Sequence, residues 1–387
     1  MKTLYFDHAA ATPALEEAVS AASLCHIDSF GNPSSIHMKG QEAINIIDKA
    51  RGDIAKITKT DFRSVIFTSS ATEANNLILR GIVKKAKREG RVELPLRIIT
   101  SLIEHDSILK TARDMEEEGV EVVYVAPDKK GRINPQDVSD AINERTVCIS
   151  IARVNGEIGS ISDIKKIGKA IDEKRKGIYP IFHTDAVQAA RFENVSPSFL
   201  GAQAVTISSH KIGGIKGTGA LIFAPGVEPK IMMHPITTGG SQEFGLRAGT
   251  ENTAAIAAFS AMMTAAEKSR KKNITSADKA KEVFWKELSE EAPSAKKNGS
   301  DDAPHILNIW IPKKRAEEIV TACDMAGLMI SQGSACSMRS GRPGHTVEAM
   351  YGDSRAQESV RISFSPKTTV AEAKAAAKVF LGVISRR

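Results

Sequence analysis

A-V-T-I-S-S-H-K-I-G-G-I-K-G-T-G-A-L-I-F, residues 204 to 223, opens on a β-branched run, breaks at Gly213, Gly214, Gly217 and Gly219, and closes on a second apolar run. The pattern predicts two strands, Ala204 to Ser208 and Ala220 to Phe223, joined by a glycine loop. Glycine permits tight backbone turns and close approach to a ligand, and Lys211 just past the first strand is an amine able to react with a carbonyl. Taken alone, the glycines equally suit a plain β-turn and Lys211 an ordinary surface position.

Outward from this stretch, short β-branched runs alternate with longer segments of helical periodicity from about residue 60 to 225. Five further strands are expected at Val65 to Thr68, Arg97 to Ser101, Val120 to Val125, Thr146 to Ile151 and Ile181 to Thr184. Helices are expected between them at 72 to 88, 107 to 118, 135 to 143 and 161 to 175. Strands alternating with helices are the pattern of a parallel sheet with crossover connections, so the fold class is α/β with a seven-stranded sheet. A long helical stretch from about 251 to 290 follows, interrupted near Asn273, and A-P-S-A-K-K-N-G-S-D-D reads as a surface loop. A shorter pattern then begins, with strands at Ile306 to Trp310, Leu328 to Ser331 and Val360 to Ser363. Helices at Ala316 to Ala326 and from about Val370 complete a second, smaller α/β domain.

The composition sets the outer bounds. With 387 residues, 42% apolar and 26% charged, the chain is long enough for two or three lobes and resembles neither a disordered nor a fibrous protein. It has no uninterrupted apolar run near the roughly 18 residues of a membrane span, and M-K-T-L-Y-F-D-H lacks the apolar stretch of a secretory signal. A soluble, cytoplasmic protein is expected. The net charge of +7 is spread over many segments. Clusters such as Lys84, Lys85, Lys87 and Arg88, or Lys268, Arg270, Lys271 and Lys272, read as solvated helix faces in preference to a nucleic-acid site, because aromatics make up only 5% of the chain and do not interleave with the charge. Cys25, Cys148, Cys323 and Cys336 are too scattered for a structural metal site or a disulfide framework.

Chemistry gathers where the expected strands end. Ligands of open α/β sheets sit outside the carboxyl ends of the strands, and I-F-H-T-D-A-V-Q places Asp185 and Gln188 there. An Asp in that place holds a heteroaromatic nitrogen protonated or, more plainly, caps a helix. S-S-A-T-E-A-N-N at 69 to 76 runs from strand to helix and suits a phosphate at the helix N-terminus, as it also suits a simple cap. S-L-I-E-H-D adds the His105 ring and R-V-N-G-E-I-G adds Asn155. Amine, acid, ring, amide and phosphate cup in one domain point together to pyridoxal phosphate.

These motifs and their order resemble the cysteine desulfurases of the NifS/IscS type, within the fold-type I, class V aminotransferase superfamily. The resemblance runs from Y-F-D-H-A-A-A-T-P at 5 to 13 through F-G-N-P-S-S-I-H, A-T-E-A-N-N, E-H, V-N-G-E-I-G, H-T-D-A-V-Q, S-S-H-K, G-L-R-A-G-T and G-S-A-C-S to V-R-I-S at 360 to 363. It implies a large domain over residues 16–262 and a small domain from 1–15 and 263–387, with a catalytic cysteine loop over about 331–345. It implies that Lys211 is joined covalently to pyridoxal phosphate, that Asp185 pairs with the ring nitrogen, that His105 stacks on the ring and moves protons, and that Gln188 contacts the phenolic oxygen. Ala71, Thr72, Ser208 and His210 would surround the phosphate, with Thr250 reaching across from a second subunit of a homodimer. Asn155, also beside the cofactor, and Arg361 would orient the substrate carboxylate.

Cys336 takes the role of nucleophile in this resemblance, and its Gly, Ser and Arg-rich surroundings, with Arg339 and Arg342 close in sequence, favour a thiolate. The other three cysteines fall in strand or helix patterns and read as structural. The implied reaction converts L-cysteine to L-alanine and leaves a persulfide on Cys336 for an iron–sulfur scaffold or another sulfur acceptor. The chain departs from its relatives at Arg153, Gly156, the G-G-I-K-G after Lys211, and Ser365 to Thr369. A selenocysteine lyase or another class V enzyme is the nearest alternative, and a silent binding protein the more distant one.

Overall fold

The computed structural model describes residues 3–91, 95–333 and 344–385. A two-residue strand, β1 (Leu4–Tyr5), precedes two helices, Glu16–Asp28 and Met38–Thr58. The main sheet then forms from β2 (Val65–Thr68), β3 (Arg97–Ser101), β4 (Glu121–Val125), β5 (Thr146–Ser150), β6 (Ile181–Asp185), β7 (Ala204–Ser208) and β8 (Gly219–Phe223). Their order across the sheet is β2-β8-β7-β6-β5-β3-β4. The pairings β3–β4, β3–β5, β5–β6 and β6–β7 are parallel, whereas β8 is antiparallel to both neighbours. The expected parallel alternation therefore fails at β8. Its connection from β7 is too short for a crossover helix, so the chain turns back beside the strand it has just left.

Every residue of β2 and of β5 to β8 is buried, as strands covered on both faces require. The covering helices start where sequence supplies caps. The Ser70 hydroxyl accepts from the Glu73 N–H to open Ala71–Arg88, and the His105 ring accepts from Ser107 N–H to open Asp106–Glu117. The side chains of Ser70 and His105 are thus fixed at helix starts on the carboxyl edge of the sheet.

The helix Thr253–Glu291 is continuous over 39 residues, without the interruption expected near Asn273. Its first half packs Phe259, Met262 and Met263 into the core of the large sheet, while Ala277, Phe284 and Leu288 enter a second core. Asn273 lies between the two, and its amide donates to the Arg191 carbonyl at 3.3 Å. A polar residue is accommodated there without breaking the helix.

The second core lies under a three-stranded antiparallel sheet in which β10 (Ile306–Trp310) pairs with β9 (Lys296–Lys297) and β12 (Ser359–Ser363). Part of the segment expected to be a surface loop is therefore strand. β11 (Leu328–Met329) is shorter than expected and pairs in parallel with β1, tying the N-terminus to this lobe. Helices Ala316–Met325 and Val370–Ile384 close it, the latter with a capping box between Thr369 and Glu372. Among the described residues no helix is long and apolar enough to cross a membrane.

Candidate active site

A cavity of about 270 Å³ opens at the carboxyl edge of the main sheet. Ala71, Thr72, His105, Asn155, Asp185, Gln188, His210, Lys211 and Arg361, separated by up to 290 positions in sequence, all line it. Ser208 and Thr250 do not. The Ser208 hydroxyl is buried under His210 and meets its Nδ1 at 2.9 Å, and Thr250 is exposed away from the cavity. Cys336, with Arg339 and Arg342, lies outside the described residues.

Asp185 ends β6, where Oδ1 accepts from the Val187 N–H at 3.0 Å and Oδ2 from the Asn75 amide at 2.8 Å. Asn75 is fully buried and also donates to the Ser107 hydroxyl at 2.9 Å. Ser107 in turn holds His105, its N–H reaching Nδ1 at 3.1 Å and its hydroxyl at 2.8 Å. The acid and the ring are therefore positioned by one hydrogen-bonded chain. In neutral His105 this leaves the proton on Nε2. The ring is open to the cavity but deep enough that desolvation lowers its pKa, against the pull of Asp185.

Lys211 directs Nζ at the carbonyls of Ala9 and Ala10, the latter at 2.7 Å. The Gln188 amide donates to the same Ala9 carbonyl at 3.0 Å. The segment from Asp7 to Thr12 is thus a wall of the cavity. Burial, followed by Lys211 and Lys216, lowers the pKa of His210 to about 4, so this ring is neutral at physiological pH.

Two expected substrate contacts are already engaged. The Asn155 amide donates to Ile103 O and the Thr346 hydroxyl, while its oxygen accepts from the N–H groups of Glu157 and Ile158. Both ends of the side chain build the wall. Arg361 donates to Asp7 at 2.8 Å and to Gly156 O at 2.9 Å, and its buried Nε has no partner among the described residues. Arg153 faces away, paired with Glu193 at 2.7 Å.

The cavity contains residues that sequence alone did not single out. Glu104 is buried, and that desolvation raises its pKa to about 8 despite hydrogen bonds from Ser101 and Ala152; Asp185 raises it further. Glu157 accepts from the N–H groups of Thr346 and Val347 at 3.3 and 3.2 Å, at the start of the helix His345–Tyr351. His345 bonds the Glu104 carbonyl at 2.7 Å. Asn75 and Glu104 stand inside motifs quoted above, but spacing does not reveal their partners.

Pyridoxal phosphate fits this donor set. Ala71 and Thr72 present the free N–H groups of a helix N-terminus to a phosphate, beside neutral His210. A Cβ on Gly219 would come within 3.0 Å of Ala71 N, so this cup needs glycine at that point of β8. Lys211, Asp185 and His105 supply amine, acid and ring.

A mainly parallel sheet with this site at its carboxyl edge defines a fold-type I pyridoxal phosphate enzyme. Residues 4–375 match the family model described as aminotransferase class-V. A cysteine desulfurase IscS from Dictyoglomus turgidum is 35% identical over 90% of this chain and 86% of its own. Among solved structures, a NifS-like protein superposes with a TM-score of 0.89 at 26% identity over 99% of both chains. SspA in complex with cysteine does so with 0.80 at 30% identity, over 94% of this chain and 99% of its own. The chain belongs to the class-V aminotransferase family, among the cysteine desulfurases of the NifS/IscS type.

Proposed function

We propose that the chain converts L-cysteine to L-alanine with transfer of the sulfur to Cys336. The carrying observation is that Lys211, Asp185 and His105 converge on one cavity beside Gly333 and Gly344, the residues flanking the segment that contains Cys336. A Cβ on Gly333 would lie 2.9 Å from the Gly344 Cα, and His345 and Thr346 line the cavity. The likeness to a chain solved with cysteine supports the choice of substrate.

Bound in the cavity, pyridoxal phosphate supplies an electron sink for negative charge that develops on the substrate. Lys211 is the amine that would hold its aldehyde, Asp185 the acid for its ring nitrogen, and Ala71, Thr72 and His210 the phosphate cup. Ser208 supports that cup through His210. Thr250 would reach the phosphate from a second copy, which makes the working unit a homodimer. His105 holds or moves a proton at Nε2, the nitrogen its partners leave free. Arg361 takes the substrate carboxylate in exchange for Asp7, a guanidinium fork being suited to either carboxylate. The Cys336 thiolate then attacks the substrate sulfur. The substrate C–S bond breaks as the S–S bond forms, the carbon takes up a proton to become alanine, and Cys336 is left as a persulfide for an acceptor protein.

The test is incubation with L-cysteine and pyridoxal phosphate, followed by mass spectrometry before any reductant is added. One extra sulfur on the peptide carrying Cys336, with alanine formed in equal amount, is the expected result. Cys336→Ser should bind cofactor and cysteine normally yet release neither alanine nor sulfide, because a hydroxyl is almost wholly protonated at neutral pH. Added sulfur on Cys25, Cys148 or Cys323 would move the nucleophile elsewhere. Wild-type turnover by Cys336→Ser would do the same.

A further inference from the structure

Arg51, Arg191 and Arg361 are the buried arginines among the described residues. Arg51 pairs with Glu243, and Arg361 with Asp7. Arg191 is only 6% exposed, yet among the described residues its guanidinium has neither a hydrogen bond nor an ion pair. A largely buried cation is normally paired in folded proteins, so the Arg191 guanidinium, which reaches solvent only through a cavity, lacks the partner its position calls for. Burial alone lowers its pKa, to about 10, with no carboxylate close enough to raise it, so the group stays cationic at neutral pH.

Arg191 opens into a second cavity, of about 340 Å³, between the N-terminal segment and the Ser365 to Glu372 stretch. The wall from His8 to Thr12 stands between this space and the active-site cavity. Donors predominate around Arg191. Lys367 stands exposed at the rim. The Ser365 hydroxyl accepts from Lys367 N–H and the Thr368 hydroxyl from Ser365 N–H, so each keeps its own proton to donate into the cavity. Of the carboxylates on the rim, Glu372 is engaged with the N–H and hydroxyl of Thr369, and Glu16 is exposed at a helix start. Neither forms an ion pair with Arg191.

We propose that this second cavity binds a small tetrahedral oxyanion, gripped by Arg191 and closed at its rim by Lys367, Ser365 and Thr368. The guanidinium fork matches two oxygens of such an anion, and the hydroxyls and ammonium complete the shell.

The test uses cofactor-saturated protein, so that the phosphate cup is already filled. Inorganic phosphate is titrated at constant ionic strength, with sodium chloride as the balance, while the melting temperature is followed. A ligand that binds only the folded chain raises that temperature with the logarithm of its concentration once above its dissociation constant. Wild type should show this rise and Arg361→Gln should keep it. Arg191→Gln should lose it, and Lys367→Gln should need several-fold more phosphate for the same rise. The proposal is overturned if wild type responds to phosphate no more than to chloride, or if Arg191→Gln responds like wild type. Should Arg191→Gln fail to fold, the exposed Lys367→Gln and the hydroxyl deletion Ser365→Ala decide, and wild-type phosphate dependence in both overturns it. The thermal readout is independent of the desulfurase assignment.

Discussion

Asn75 shows how much of the site rests on a residue that touches no reacting atom. Its amide fixes one oxygen of Asp185 at 2.8 Å and, through Ser107, the ring of His105. A hydrogen bond to a charged group is worth about 1.5–3 kcal/mol, so Asn75→Ala should weaken pyridoxal phosphate binding by roughly tenfold to a hundredfold. Equilibrium titration of the apoprotein measures this, and an unchanged constant would show that Asp185 needs no support. Glu104 makes a prediction about pH. Its folded pKa of about 8 lies above the ordinary 4.5, so the folded chain keeps a proton that the unfolded chain releases, and its contribution to stability declines as pH rises through that interval. Glu104→Gln should gain stability relative to wild type from about pH 4.5 to 8. Denaturant unfolding at several pH values checks it, and a pH slope identical to wild type would count against a protonated Glu104.

At the scale of elements, the strand ends act together because the sheet is held in register across its centre. His183 of β6 spans both neighbours, with Nδ1 at 2.9 Å from the Ser150 hydroxyl of β5 and Nε2 at 2.9 Å from the Thr206 hydroxyl of β7. Full burial lowers its pKa from the usual 6.5 to about 3. As pH falls below 6.5 the unfolded chain gains a proton that the folded chain refuses, so stability is lost toward pH 3. His183→Asn should lose about 1–3 kcal/mol at neutral pH from unmade hydrogen bonds and show a flatter acid limb in unfolding experiments. The short helix His345–Tyr351 offers a separate test. A Cβ on Gly344 would lie 1.9 Å from Glu157 Oε1, the oxygen that receives the Val347 N–H. Gly344→Ala must displace either that carboxylate or the helix start it caps, and a displacement near 1 Å lowers alanine formation by on the order of a hundredfold while the cofactor's absorbance stays normal. Equal loss of both would place Gly344 in general folding instead.

At the scale of the whole molecule, a buried ion pair anchors the edge of the main sheet. Arg51 on the helix Met38–Thr58 makes two 2.7 Å bonds to Glu243, which also accepts the outward N–H of Phe67 in edge strand β2 at 2.8 Å. The guanidinium lies 4.8 Å from the centres of both the Phe67 and Phe244 rings. The edge strand is thereby covered by a side chain, with no neighbouring strand needed. Arg51→Ala leaves Glu243 charged and buried, and should cost about 3–5 kcal/mol in unfolding free energy measured with cofactor bound.

The sequence by itself determined what depends on local pattern. Strand periodicity placed β2, β3, β7 and β10 to the residue, helical periodicity placed the starts at Ala71, Asp106, Pro135, Ala316 and Val370 to within a residue, and the motif order identified the family and made Lys211, Asp185 and His105 candidates for its site. Contacts between distant segments were decided by tertiary structure alone. Periodicity cannot tell that β8 turns back, since direction depends on connection length and pairing, nor that Asn273 sits inside an unbroken helix because a carbonyl from residue 191 meets it. Spacing along the chain likewise cannot show that Asn155 is saturated by four bonds, that Arg361 already holds Asp7, or that Arg191 is buried without an acid. Each of these is a balance of desolvation against partners supplied by other elements, and those partners come within reach only when the chain has folded.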